Sequence, residues 1–297
     1  MPLAKDIWRP LIVEAPIEAV LRAGSIAGFE HRWLPEERYL RFLADPFGIE
    51  RDGVRHVFVE HYDYRTRHGT IHCLAFGRDG MLIRRERVLA EPWHLSYPIL
   101  IESGADIYML PEACRSGGLT LYRAVDFPWR WERAAAIVLD HVAIDATPVF
   151  HEGLWWLFYT AADHGETGKT GALFAAWAER IDGPWTPHAG NPIRRGKDSS
   201  RPGGTPARLD GTLVLPTQDC RQTYGGAIRP LHIHRLGPDR FEAEAGAPIV
   251  APARFAPFTA GLHTLSALGA ATLVDVKRKI LSPRSLAVLA RRELGRR

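Results

Sequence analysis

The sequence predicts an all-β fold, a five-bladed β-propeller with short helical N- and C-terminal segments. Two observations carry this reading. The first is composition: 27 Gly and 22 Pro in 297 residues are many turn-makers, and nine Trp and eight Tyr favour strands over helices. The second is a repeat. Five segments align on a turn glycine: "DPFGIERDGVRHVFVE" (45–60), "SYPILIESGADIYMLPE" (96–112), "DATPVFHEGLWWLFYT" (145–160), "GGTPARLDGTLVLPTQD" (203–219) and "GLHTLSALGAATLVDVK" (261–277). Each has a small, polar or Pro lead-in, an alternating strand, the glycine and a second, more apolar strand, which is a β-hairpin signature.

The turn glycines Gly53, Gly104, Gly153, Gly211 and Gly269 are 51, 49, 58 and 58 residues apart. Further strand-like runs lie between the hairpins, for example "GTIHCLAFGRDG" (69–80), "LTLYRAVDFPWRWE" (119–132), "GALFAAWAERIDGPW" (171–185) and "AIRPLHIHRLGPDRFE" (227–242). Two hairpins per unit make a four-stranded sheet, and such a sheet repeated every 40–60 residues is the pattern of a propeller blade. A pair of β-sandwiches would not explain the near-constant period. Residues 1–43 read as an N-terminal extension packing on the propeller, 44–277 as the propeller, and 278–297 as a basic tail or helix. Within the extension, Ile17, Val20, Leu21 and Ile26 can share one face of a short amphipathic helix. One blade completed by strands from both termini would latch the ring.

Charge is unevenly placed. Of the net +4, residues 277–297 hold eight Lys and Arg against one Glu, so the remaining chain is mildly acidic. A basic tail on an acidic body argues against nucleic acid as a partner. The tail reads as a solvated helix packed on the domain or as a weak contact to a membrane surface. No apolar run reaches the roughly 18 residues of a membrane helix, and "MPLAKDIWRP" has no apolar signal core, so the expectation is a cytoplasmic protein. Cys73, Cys114 and Cys220 lack metal-type spacing and read as idle thiols. "GETGKTG" (165–171) lacks phosphate-loop spacing and reads as a hairpin loop. "DFPWRWERA" alternates its aromatics as blade packing does.

The innermost strands of a propeller face its channel, so their lead-in residues converge at one end. Eight residues before the turn glycines stand Asp45, Ser96, Asp145, Gly203 and Gly261. Carboxylates at a hub repel one another and raise a pKa, which points to binding or acid/base work; each Asp could instead cap its own local turn. His94, Tyr97, Arg201 and His263 fall near the same mouth, a lining suited to hydroxyl-rich or anionic ligands. "QDCRQTYGG" (218–226) offers Gln218, Asp219 and Tyr224 from a loop.

An Asp-Pro eight residues before a Gly turn, with a second Asp at the same place in blade three, resembles the five-bladed glycosidases of glycoside hydrolase family 43 and its relatives. The resemblance implies a general base at Asp45 and an orienting or tuning acid at Asp145. A more specific one covers nearly the whole chain. "HLSYPILIESGADIYMLPE", "LYRAVDFPWRWE", "WWLFYT", "QDCRQTYGGAI" and "GLHTLS" resemble the N-terminal propeller domain of glucosamine inositolphosphorylceramide transferases and related bacterial proteins, some fused to formyltransferase-like modules. The glycosidases carry a Glu general acid at the mouth of blade four, where this chain has Arg201, Pro202 and Gly203. Glu60, Glu112 and Asp219, at the outgoing ends of their hairpins, are the substitute acids, although their position favours the opposite end of the strands. The resemblance implies a carbohydrate-active protein that binds a sugar or glycoconjugate and either transfers or hydrolyses it, with Arg201 clamping an anionic group. A non-catalytic sugar-binding or scaffold propeller assisting a glycosyltransferase or formyltransferase is the alternative, and a protein-docking propeller a third reading. No cofactor is expected; calcium at the hub is conceivable, with no ligand run that specifies it.

Overall fold

The computed structural model describes residues 4–280, and these form five antiparallel sheets arranged as a propeller. Four blades run from inner to outer edge in chain order. The first comprises Arg41–Arg51, Val54–Asp63, His68–Phe76 and Leu82–Leu89; the second Ser96–Ser103, Asp106–Glu112, Leu119–Asp126 and Arg130–Ile137. The third comprises Ala143–His151, Leu154–Ala161, Ala172–Ala178 and Thr186–Pro187. In the fourth, the inner strand is split into Arg201–Pro202 and Ala207–Leu209, followed by Thr212–Asp219, Ala227–Gly237 and Arg240–Ala245.

The fifth blade corrects the expected domain limits. Leu262–Leu268 and Ala271–Ile280 are its inner strands, and its outer strands are Lys5–Val13 and His31–Trp33. Residues 1–43 are therefore not an extension packed on a finished ring. The edge of Ala271–Ile280 needs a partner, and Lys5–Val13 supplies it along nine consecutive pairs, from Lys5 opposite Ile280 to Val13 opposite Thr272. The ring is latched by main-chain pairing between the two ends of the described chain. Arg278–Ile280 belong to this ladder; the rest of the expected tail, 281–297, lies outside the described residues.

The predicted turns follow from backbone stereochemistry. Asp52-Gly53, Glu152-Gly153 and Asp210-Gly211 have positive φ at both turn residues, as two-residue hairpins of type I′ require. The fourth blade interrupts its inner strand where its backbone bridges to Leu265 of blade five at Gly204, and a Cβ there would lie 1.8 Å from the Leu265 carbonyl oxygen. Blades pack through apolar faces, such as Trp156, Phe158 and Leu173 of blade three against Leu213, Leu215 and Leu231 of blade four. The helix Ile17–Ala23 buries Ile17, Val20 and Leu21 and ends at a left-handed Gly24; Ile26, beyond its end, is buried with them. Gly165–Gly171, expected as a plain loop, is a short helix within the connection from Leu154–Ala161 to Ala172–Ala178. Among the described residues no helix is long and apolar enough to cross a membrane.

Candidate functional site

The site is built by a backbone device at the start of the inner strands. Pairing slips between Ala44 and Phe47, between Ser96 and Ile99, and between Ile144 and Thr147. At these bulges Asp45, Tyr97 and Asp145 adopt φ of +49°, +47° and +49°. Left-handed geometry at a non-glycine residue costs on the order of 1–3 kcal/mol and persists where surrounding bonds hold it. Bulges re-aim side chains, and these three reach into the centre. The blade-two equivalent of Asp45 is Tyr97, not Ser96. Gly104 opens its two-residue turn, whereas Gly53 and Gly153 close theirs, so counting back from the glycine slips by one. In blade five the bulge falls between Leu262 and Thr264, at His263.

Asp45, 6% exposed, is held from the two flanking blades, the second and the fifth. Its Oδ2 accepts the Tyr97 N–H (3.2 Å), and its Oδ1 accepts the Thr264 hydroxyl (3.2 Å) and faces His263 Nε2 at 3.4 Å. The Asp45 N–H donates to Asp275 Oδ2 (2.8 Å), and Asp275 Oδ1 lies 2.7 Å from His263 Nδ1. Burial pushes the Asp45 carboxyl up, helped by Asp275 and Asp145, while His263 opposes the shift. The expectation that each Asp caps its own turn does not hold for Asp45: its carboxylate satisfies the bulge amide of the next blade.

Asp145 has a different neighbourhood. Its Oδ2 accepts from Arg201 Nε (2.7 Å) and Gln218 Nε2 (3.0 Å). The Arg201 guanidinium also donates to the Lys169 carbonyl (3.1 Å) and to the Tyr224 hydroxyl (3.4 Å). Arg201 thus stands at the mouth as expected, but its fork is engaged by protein groups. Tyr97 closes the centre beneath the two aspartates: its hydroxyl pairs with Thr147 Oγ1 (2.9 Å) and accepts the Gly204 N–H (2.7 Å).

Glu60 and Glu112 lie at this same end, not the opposite one. Glu60 pairs with Ala44 and Glu112 with Ser96, because the second strand of a hairpin returns to the end where the first began. Both are buried. Burial pushes the Glu60 carboxyl well above the usual range, reinforced by Asp45 and Glu112. Burial also raises Glu112, against the Cys114 contact that lowers it and with Asp145 adding to the rise. His94 stands beside Glu60. Its Nδ1 accepts the Gly69 N–H (2.9 Å), which leaves the ring proton on Nε2, 3.6 Å from Glu60 Oε1. Burial lowers His94 to about 4, so this imidazole is neutral.

Asp219 is not brought into the cluster. It is bridged by Arg221 (2.7 Å) and Arg229 (3.0 Å) and lines a separate cavity of about 310 Å³ with Thr223 and Thr259. Strand alternation explains this: Gln218 points to the channel and its neighbour Asp219 away. The sequence reading missed Thr264, Asp275 and Trp8. Asp275 sat six residues after a turn glycine, which was the available signal; Trp8 had none, since its ring reaches His263 (centroids 3.6 Å apart) through the terminal pairing. Asp45, His263 and Asp275 are the group of possible metal-ligating side chains found among the described residues. The set offers one nitrogen and two carboxylates, where calcium takes six to eight oxygens.

The comparisons with known proteins agree with this architecture. Residues 36–253 match the family described as glucosamine inositolphosphorylceramide transferase 1, N-terminal. The Arabidopsis thaliana glucosamine inositolphosphorylceramide transferase 1 is 36% identical over 222 residues, covering 73% of this chain and 28% of that protein. The enzyme of the same name from Oryza sativa subsp. indica is 33% identical over 204 residues, 68% of this chain and 27% of that one. The chain therefore spans under a third of the length of these relatives. Among solved structures, a family 117 glycoside hydrolase of Zobellia galactanivorans superposes with a TM-score of 0.56 at 15% identity, over 84% of this chain and 90% of that one. An alpha-L-arabinofuranosidase of Podospora anserina gives 0.59 at 11% identity, over 82% and 92%. At such identities these two share the fold. The sequence relatives go further, and the chain belongs to the family of glucosamine inositolphosphorylceramide transferase N-terminal domains.

Proposed function

We propose that the channel mouth binds the sugar part of a glycoconjugate, with Asp45 accepting a sugar hydroxyl and Glu60 and Glu112 beside it. The observation that carries this reading is the convergence of buried carboxyl groups on one end of the channel. Burying charge is costly unless it is paired; among the described residues Glu60 faces the neutral His94, and Asp45 has His263 beside it but no Arg or Lys. Carboxyls raised by burial can donate a hydrogen bond while Asp45 accepts one, which suits a ring of hydroxyl groups. The Tyr224 ring, part-exposed beside Arg201 and His263, offers a face for stacking. Arg201 is engaged by Asp145, so the ligand is neutral rather than anionic at that point. The relatives' name, with its glucosamine and inositolphosphorylceramide, supports a glycolipid or its sugar as the ligand class, in support of a glycosyltransferase activity carried elsewhere. The test is an array of hexose, hexosamine and pentose glycans probed with the whole protein. Asp45→Asn keeps the Tyr97 amide satisfied and is expected to weaken the best glycan at least about tenfold, roughly 1.4 kcal/mol. Unchanged binding in that variant overturns the assignment.

A second reading is acid/base turnover. It rests on one observation: Glu60 and Glu112, with pKa values raised by burial, stand at the same end as Asp45 and can supply the proton that blade four does not. Hydrolysis of aryl glycosides, abolished by both Asp45→Asn and Glu60→Gln, would replace the binding reading; no turnover with intact glycan binding leaves it standing.

A further inference from the structure

The fifth blade delivers a buried pair that the proposed sugar contact does not itself use. His263 presents each ring nitrogen to a different carboxylate, Nδ1 to Asp275 (2.7 Å) and Nε2 to Asp45 (3.4 Å). An ionised carboxylate only accepts, so with Asp45 and Asp275 both ionised the arrangement is satisfied when both nitrogens carry hydrogen, that is, as an imidazolium. The Trp8 ring stacks on it at 3.6 Å and 10°, where a cation meets an aromatic face. Asp275 is fully buried and does two things at once. One oxygen takes His263 and the Thr264 N–H (3.0 Å); the other takes the strained Asp45 N–H. The Thr264 hydroxyl then closes the loop onto Asp45 Oδ1.

We propose that Asp275 and His263 are positioning residues for Asp45, fixing its left-handed pose and sharing its charge, so that the mouth is competent only when the two chain ends are paired in the fifth blade. The proposal rests on the sugar-binding reading for its functional meaning. Its geometry stands on the latch: Asp275 lies opposite Pro10 and Lys277 opposite Trp8 in the terminal ladder. Lys277, itself buried, ties this ladder to the mouth loop. Its Nζ donates to Asp6 (3.0 Å), to the Thr223 hydroxyl (3.1 Å) and to the Tyr224 carbonyl. Sequence matching to the family ends at residue 253, before His263 and Asp275, so the pair is contributed by the part of this chain beyond that match.

The groups facing His263 are Asp275 from its own blade, Asp45 from the first blade, Trp8 from the terminal strand and Tyr224 from the mouth loop, with Asp145 further across the channel. Burial alone would lower the His263 pKa, but Asp275 and then Asp45 outweigh it and raise it above the ordinary value.

The test is ¹⁵N NMR of histidine-labelled whole protein, which needs no ligand. In the parent, the His263 titration should lie above the ordinary imidazole value near 6.5. In Asp275→Asn the titration should move down by about one pH unit or more. In Asp45→Asn it should move down by less. A His263 that titrates near 6.5 in the parent, or that Asp275→Asn leaves unmoved, overturns the proposal. Should Asp275→Asn fail to fold, His263→Gln is the second variant: it keeps two polar ends but no charge. It should weaken the glycan selected on the array about tenfold and flatten the pH profile of that binding; an unaltered profile counts against the pair. An imidazolium signature without any glycan binding would leave the pair in place and remove the sugar reading. Glycan binding lost in Asp45→Asn beside an ordinary His263 titration would do the reverse.

Discussion

The first and third blades use one backbone device and arrive at different chemistry. Asp45 and Asp145 sit at the same bulge with the same φ, and each side chain crosses to a neighbouring blade. Asp145 meets Arg201 and Gln218 and becomes half of a buried ion pair. Asp45 meets an amide, a hydroxyl and His263, with Glu60 alongside. The position opposite the bulge differs as well: Glu60 in blade one, Thr160 in blade three. The repeat therefore sets where a carboxylate points, and the adjoining blade sets what it can do. Blade three is the structural half of the mouth, closed by an ion pair, and blade one the half whose carboxyl groups have no Arg or Lys partner among the described residues.

The largest expected effect tests the structural half. Arg201→Met removes the cation and leaves Asp145 buried with only Gln218. Breaking one side of a buried pair costs about 3–5 kcal/mol, so a large drop in melting temperature is expected at pH 7. Asp45→Asn, by contrast, should shift the melting temperature little. Equal losses in the two variants would erase the distinction between the blades.

The sequence made much of this legible. Five turn glycines marked five hairpins, and counting back from them found Asp45 and Asp145, because strand period and turn length are local properties. The same count missed Tyr97 by one residue, since a glycine can open or close a two-residue turn and the sequence does not say which. The end at which Glu60 and Glu112 lie was legible but misread, as a returning strand must finish where its partner began. What was not legible is pairing between blades. Arg201 on Asp145 spans 56 residues, and Trp8 on His263 spans most of the chain. Such contacts follow from ring closure, not from any local pattern. Residues 1–43 were set apart as an extension for this reason, although a blade completed by strands from both termini was the expected latch; the open edge of Ala271–Ile280 is what makes Lys5–Val13 part of the ring.

A smaller effect of opposite sign tests the blade-one half. Glu60 has a folded pKa raised by burial and by neighbouring carboxylates, so the folded protein holds that proton more tightly than the unfolded chain does. Its carboxyl is accommodated without cost below the unfolded value near 4.5 and costs stability as pH rises above it toward the folded value. Glu60→Gln, which stays neutral, should therefore stabilise the protein by about 1–2 kcal/mol at pH 8, with the gain fading toward pH 4. Denaturant midpoints at both pH values measure this. A gain that does not depend on pH would mean that Glu60 carries no titration of its own.

The smallest effect comes from the matching position in blade three. Thr160 is fully buried, and its hydroxyl has no hydrogen-bond partner among the described residues. An unsatisfied buried hydroxyl is a net cost, whereas a methyl group of similar volume is not. Thr160→Val is expected to stabilise by about 1 kcal/mol, equally at pH 4 and pH 8, read from the same denaturant midpoints. Set beside Glu60→Gln, it separates the two halves of the mouth at one shared register position: a pH-dependent gain in blade one and a pH-independent gain in blade three. Destabilisation by Thr160→Val would show that the hydroxyl is bonded in solution, through water or ligand, and would erase the contrast between the two blades at this position.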